Sequence, residues 1–272
     1  MRSIDVTSEE GQMVKPNELI EIKGAGGLTL TDRRVFNILL NNAWGKDLLS
    51  HQHKFTISTT ELKADTQTNQ RLKRTLRKLQ LTLVVAVQAN EDEVASQLLG
   101  STRLKPNGDL IYSFPSELAE LLKDSSVFAK LDLEVMKSFS SKYAFALYEH
   151  ISRRINLKYK MTETLDIDDI REMLGVEDGK LTTSFNLRNK AVKPAVEEVN
   201  AITPYEVTIL PKTKGRKVTH FIMGWSIKDT DGMRQAYKEL QQPKVGRRAR
   251  VEGKGEALVG DADDVVDQTR PE

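Results

Sequence analysis

The chain of 272 residues contains no cysteine. That excludes disulfides, thiolate nucleophiles and cysteine-held zinc or iron–sulfur sites, and it fits a reducing, cytoplasmic setting. Aromatic residues are few, at 6%, with two tryptophans among them. No run approaches the roughly 20 apolar residues that cross a bilayer. The opening MRSIDVTSEEGQM carries acids and lacks the apolar centre of a secretory signal. A phosphate-cradling Gly-Lys loop is missing as well. GAGG, residues 24–27, lacks the lysine and the strand-to-helix setting, so ATP hydrolysis is not expected. Neither sign of charge dominates: 41 Lys and Arg face 39 Asp and Glu, for a net charge of +2. A nucleic-acid binder with so small a net charge must gather its positive charge locally, because affinity comes from local phosphate neutralisation.

Such a gathering exists. Residues 70–80 read QRLKRTLRKLQ, with Arg71, Lys73, Arg74, Arg77 and Lys78 set around Leu72, Leu76 and Leu79 at helical spacing. A lone basic helix is more often a solvated face. The surroundings weigh against that here. LTLTDRRVFNILLNNAW predicts a helix capped by Thr31 or Asp32, with Val35, Ile38, Leu39 and Ala43 as its buried stripe. HKFTIS predicts a strand. STTELKADT predicts a helix, with Ser58 and Glu61 at capping-box spacing. The basic helix comes third, followed by strands over LTLVVAV and DLIYSFP. Helix, strand, helix, basic helix and two strands is the order of a winged helix, whose third helix lies in the major groove.

The order then repeats. SSKYAFALYEHISRRIN predicts a helix, KMTETLDI a strand, and DDIREML a short helix begun by Asp166 or Asp168 and stopped at Gly175. SFNLRNKAVKPAVEEVN predicts the third helix, and YEVTIL and VTHFIMGWSIK predict strands joined by the basic turn PKTKGRK. Residues match too: Asp32-Arg33-Arg34-Val35-Phe36 aligns with Ser141-Lys142-Tyr143-Ala144-Phe145 at an offset of 109 (141 − 32). Lys73, Leu76 and Leu79 align with Lys193, Val196 and Val199 at 120 (193 − 73). Each copy is of domain size, which argues for a tandem pair rather than a solenoid. The fold expected is α+β: two tandem winged-helix domains with a pseudo-twofold internal repeat and a disordered C-terminal tail. The boundaries are residues 1–14 as a flexible N-terminus, 15–136 and 137–228 as the domains, and 229–272 as a flexible tail, although YKELQQ could extend a helix.

The expected DNA-contacting residues of the first domain are Asn69, Gln70, Arg71, Lys73, Arg74 and Arg77. Those of the second are Asn186, Arg188, Asn189, Lys190 and Lys193, with Lys212, Lys214, Arg216 and Lys217 on the wing. Asn and Gln pair bidentately with adenine, and Arg and Lys with guanine, while wing cations suit phosphates. Pro194 leaves two readings open. Either it kinks the third helix between a DNA-facing half and a core-facing half, or the helix begins later with proline in its first turn. Phe36, Tyr143, Phe145, Tyr148 and Trp225 read as core. His51-Gln52-His53 resembles the His-hydrophobe-His pair of single-strand nicking enzymes. Its middle residue is polar, it lies in a loop, and no tyrosine with a supporting lysine stands in a helical setting. No enzymatic activity, cofactor or metal is expected.

LTLTDRRVFNILL, SSKYAFALYEHISRR, IREMLGV, FNLRNKAVKPAVEEVNAIT and YEVTI…KGRKV together resemble the plasmid replication initiators of the Rep_3 superfamily, from about Lys15 to Ile227. The resemblance implies two winged helices that bind direct repeats (iterons) of double-stranded origin DNA as a monomer and help to melt an adjacent AT-rich region. It implies recruitment of the host chromosomal initiator and the replicative helicase. It also implies a homodimer, joined through domain 1, that binds an operator inverted repeat and represses its own gene. The setting implied is the bacterial cytoplasm, on plasmid DNA and away from membranes. By the same resemblance the second-domain helix, with Arg188, Asn189 and Lys193, makes the main base contacts. A transcription regulator with the same tandem domains and no role in replication is the alternative.

Overall fold

The structure, a computed structural model, describes residues 9–44, 54–62, 68–87, 92–125, 127–157, 159–251 and 253. His51 and His53 lie outside the described residues.

The chain opens with β1 (Gln12–Pro16) and the single turn α1 (Asn17–Ile20), followed by α2 (Leu30–Ala43). Thr29 caps α2. Its hydroxyl accepts from the Asp32 N–H at 3.2 Å, and the Asp32 carboxylate accepts from the Thr29 N–H at 2.9 Å. The cap expected at Thr31 or Asp32 thus lies further out, and Asp32 is the inner member of a capping box. The run continues with β2 (Phe55–Ser58), α3 (Thr59–Leu62) and α4 (Asn69–Leu81).

Four strands follow: β3 (Leu83–Val87), β4 (Glu93–Gln97), β5 (Thr102–Leu104) and β6 (Asp109–Tyr112). Here the sequence reading needs correcting. LTLVVAV and DLIYSFP are not the two strands of one wing. β3 pairs with β4 as a separate hairpin, while β6 pairs with β2 on one side and β5 on the other. The first domain therefore carries an additional hairpin between its third helix and its wing. α5 (Ser116–Asp124), β7 (Phe128–Asp132) and α6 (Leu133–Ser138) lead onward, with β7 antiparallel to β1.

The second unit repeats the plan: α7 (Lys142–Arg154), β8 (Thr162–Asp166), α8 (Ile167–Met173), a long third helix, then β9 (Tyr205–Lys214) and β10 (Lys217–Ile227). Its sheet order, β8-β10-β9, matches β2-β6-β5 of the first unit. Asp166 is the cap of α8, with Asp169 completing a second capping box. The third helix begins at α9 (Ser184–Leu187), passes through a π-turn over Arg188–Val192 and ends as α10 (Lys193–Ile202).

Over residues 230–251 the expected tail is corrected, while 252 and 254–272 lie outside the described residues. α11 (Thr230–Leu240), capped by the Asp229 side chain, packs on α10, and α12 (Arg247–Val251) follows. The buried Arg247 guanidinium pairs with Glu198 of α10 at 3.2 Å and Glu239 of α11 at 3.4 Å. It also donates to the Ser138 carbonyl at 2.7 Å. Glu198 in turn accepts from the Ser140 and Ser141 N–H groups at the head of α7.

The two units share one hydrophobic core, and α7 lies between them, against α10 on one side and β7 on the other. Their junction is also polar. Lys15 of β1, 4% exposed, pairs with Glu149 of α7 at 2.7 Å, and Asn37 of α2 donates to the same carboxylate oxygen at 2.8 Å. The GAGG loop belongs to this junction. A Cβ on Gly26 would come within 2.9 Å of the Val176 carbonyl oxygen, and one on Gly175, whose φ is +65°, would fall on the Arg33 guanidinium. Lys142 donates to the Gly26 carbonyl at 2.8 Å. Gly26 lets its loop approach the backbone at Val176, and Gly175 turns in the left-handed region while leaving room for Arg33.

Candidate nucleic-acid interface

In the first domain α4 turns Leu72, Thr75, Leu76 and Leu79 inward. Asp32 anchors it by accepting from the Thr75 hydroxyl at 2.8 Å and pairing with Lys78 at 3.0 Å. Burial pushes the Asp32 carboxyl up, but hydrogen bonds from Thr29, Thr75 and Lys78 outweigh that and hold it below its ordinary value. Lys78, half-buried, is thereby committed to Asp32. Asn69, Gln70, Arg71, Lys73, Arg74 and Arg77 are all exposed, and none of the four cations has an ion pair among the described residues. A helix held by its leucines and one aspartate thus presents four uncommitted charges.

In the second domain Thr183 caps the third helix, accepting from the Asn186 N–H at 3.2 Å. Leu187, Ala191, Ala195 and Val199 are each 0% exposed. A stripe at every fourth residue drifts about 40° per step around an ideal α-helix. The wider π-turn takes up part of that drift. It also answers the question posed by Pro194, which has no N–H to give and would crowd the carbonyl four residues back. The Lys193 N–H instead reaches five residues back, to the Arg188 carbonyl. The helix therefore neither begins at the proline nor is broken by it.

Arg188, Asn189, Lys190 and Lys193 are exposed and Asn186 is half-buried. Lys193 also makes an i,i+4 pair with Glu197 at 3.6 Å. On the wing, β9 and β10 turn at Gly215, with φ +62°, and Lys212, Lys214, Arg216 and Lys217 are all exposed. Lys214 and Lys217 stand directly opposite one another. Like charges across a strand pair are destabilising unless an anion offsets them. The sequence reading missed one exposed residue in the first turn of the third helix, Phe185. The signal available was a phenylalanine two positions from the Leu187 core stripe, on the opposite face. Among the described residues no cluster of His, Asp and Glu could hold a metal ion, and no helix is long and apolar enough to cross a membrane.

Two winged helices in tandem, each displaying a basic third helix, define a double winged-helix protein of the DNA-binding type. The chain matches the family model of the initiator replication protein's first winged helix (WH1) over residues 12–152 and that of its second (WH2) over 166–225. It belongs to this family of replication initiators, the Rep_3 proteins. The first match runs through α7, which by its packing on α10 serves the second unit as well. Among solved structures the chain is similar to the Pi initiator protein, crystallised in complex with iteron DNA. The two are 19% identical, with a TM-score of 0.57 over 82% of this chain and 100% of that one. No curated protein sequence matches the chain.

Proposed function

We propose that this chain initiates plasmid replication by binding direct repeats at its origin, with the α9–α10 helix reading bases and α4 adding a second contact. The observation that carries this reading is the pairing of two outward basic helices with a wing whose lysines face each other unneutralised. The similar Pi initiator holds iteron DNA on the same fold. From the family resemblance we also propose origin opening, recruitment of the host chromosomal initiator and helicase, and autorepression by a dimer formed through the first domain. The additional hairpin supports the dimer: Leu83 and Val87 of β3, on one face, and the neighbouring Leu81 are exposed.

The test is footprinting of the chain's own upstream DNA across a salt series, against random DNA. Protection recurring at a fixed direct-repeat spacing supports the initiator. A single protected palindrome over a promoter favours a repressor, and a flat salt response with no protection removes DNA from the account. Arg188→Ala should weaken specific binding by about 1–3 kcal/mol. An equal loss on random DNA would assign Arg188 to phosphate instead. Replacing Lys214 and Arg216 with alanine should lower the salt slope by about 2, roughly 0.9 per phosphate contact. An unchanged slope in the same titration would take the wing out of the interface.

A further inference from the structure

All eight phenylalanines of the chain fall within the described residues. Seven are buried or half-buried. Phe185 alone is exposed, at 72%, and among the described residues its ring meets no other aromatic ring. It contributes nothing evident to the fold: Leu187, on the opposite face of the same turn, supplies the core contact. A phenyl group left in water forgoes about 1.5–3 kcal/mol of burial, so its place in the first turn of the groove-reading helix needs a reason.

The reason lies in its neighbours. Arg188 and Asn189 stand three and four residues on, which places all three side chains along one side of the helix. Arg188 and Asn189 suit the polar edges of guanine and adenine. The apolar group exposed in the major groove is the 5-methyl of thymine, and phenylalanine is among the side chains that meet it. We infer that Phe185 is a specificity-determining residue that packs on the methyl group of a thymine next to the bases met by Arg188 and Asn189. This rests on the origin-binding reading above. The ring discriminates by shape and dryness: thymine offers it a methyl, whereas cytosine carries only a hydrogen at that carbon and, on the neighbouring one, an amino group whose hydrogen bond to water the ring would obstruct.

The experiment replaces thymines of the footprinted origin DNA sparsely with deoxyuridine, which keeps every hydrogen-bonding group and removes the methyl alone. Bound and free molecules are separated for the wild-type chain and for Phe185→Ala, and the uracil positions are mapped. The wild type should show a thymine in each protected repeat whose methyl is worth about fourfold in affinity, close to the value of one buried methyl group. Phe185→Ala should bind more weakly overall and show no interference at that thymine, while Phe185→Leu should keep part of it. Because the side chain is exposed, Phe185→Ala should melt with the wild type. Protection without interference at any thymine, or the same interference in Phe185→Ala, overturns the inference and leaves origin binding standing. Absence of protection on origin DNA overturns both.

Discussion

Glu149→Gln should cost about 3–5 kcal/mol of stability, because it leaves the Lys15 ammonium buried without its counter-charge. Both side chains are almost fully enclosed, at 5% and 3% exposed. Lys15 lies 5.8 Å from the centre of the Phe36 ring, a contact far weaker than the ion pair it would have to replace. Asn37 would lose strength in its bond to the same oxygen. Burial already holds the Lys15 pKa below the ordinary 10.5, against the pull of Glu149. An unfolded chain then binds more protons than a folded one, so the contribution of Lys15 to stability rises with pH as pH approaches 10.5. The deficit of Glu149→Gln should shrink along the same axis. Urea unfolding at several pH values reads both effects. Lys15→Met with Glu149→Leu should recover most of the loss, since a buried pair exchanged for apolar groups is often neutral. A single variant as stable as the wild type would mean that the junction of the two domains is wet in solution.

Replacing Arg71, Lys73, Arg74 and Arg77 together with alanine should lower the slope of log K against log salt by about 3–4, roughly 0.9 for each of four released counterions. Near 0.1 M salt the loss in affinity should approach a thousandfold or more, on origin and random DNA alike. The fold should hold, because the four side chains are exposed and the buried stripe of α4 is untouched. Lys78 is the internal control. It is committed to Asp32, so Lys78→Ala should leave the slope unchanged and lower stability slightly. Binding titrations at four or five salt concentrations decide the matter. A quadruple variant with the wild-type slope would make α4 a solvated face after all.

The contrast between Lys78 and its neighbours also shows what a sequence can display. The third helices were legible because leucines and small residues recur at helical intervals in QRLKRTLRKLQ and SFNLRNKAVKPAVEEVN. The exposed cations then follow from the face left over. Strand partners were less legible, because pairing is decided far along the chain: β2 finds β6 rather than LTLVVAV, which finds 93–97. Cations committed within the protein resemble, in sequence, cations left exposed on its surface. Arg247 stands in the basic run KVGRRAR yet is buried between Glu198 and Glu239, and Arg34 of LTDRRV holds the carbonyls of Met136, Lys137 and Phe139. Phe185 escaped because charge guided the search for the interface, and one exposed ring changes neither charge nor period. The GAGG loop escaped because its partner, the turn at Gly175, lies in the other domain.

The π-turn at Arg188–Val192 has a consequence for how such a protein can change over generations. A π-turn is an α-helix with one surplus residue, taken up locally so that the stretches on either side keep their bearings. Deleting one codon here, together with exchanging Pro194 for an ordinary helix former, would return the segment to uninterrupted α-helix. The half that packs against α7 would not have to repack. The exposed positions Phe185, Arg188 and Asn189 could thus be rewritten while Leu187 and α10 stay in place. If the α9–α10 helix reads the origin repeats as proposed, a plasmid whose repeats drift in sequence would have, in this one turn, a place where its initiator can follow them without being refolded.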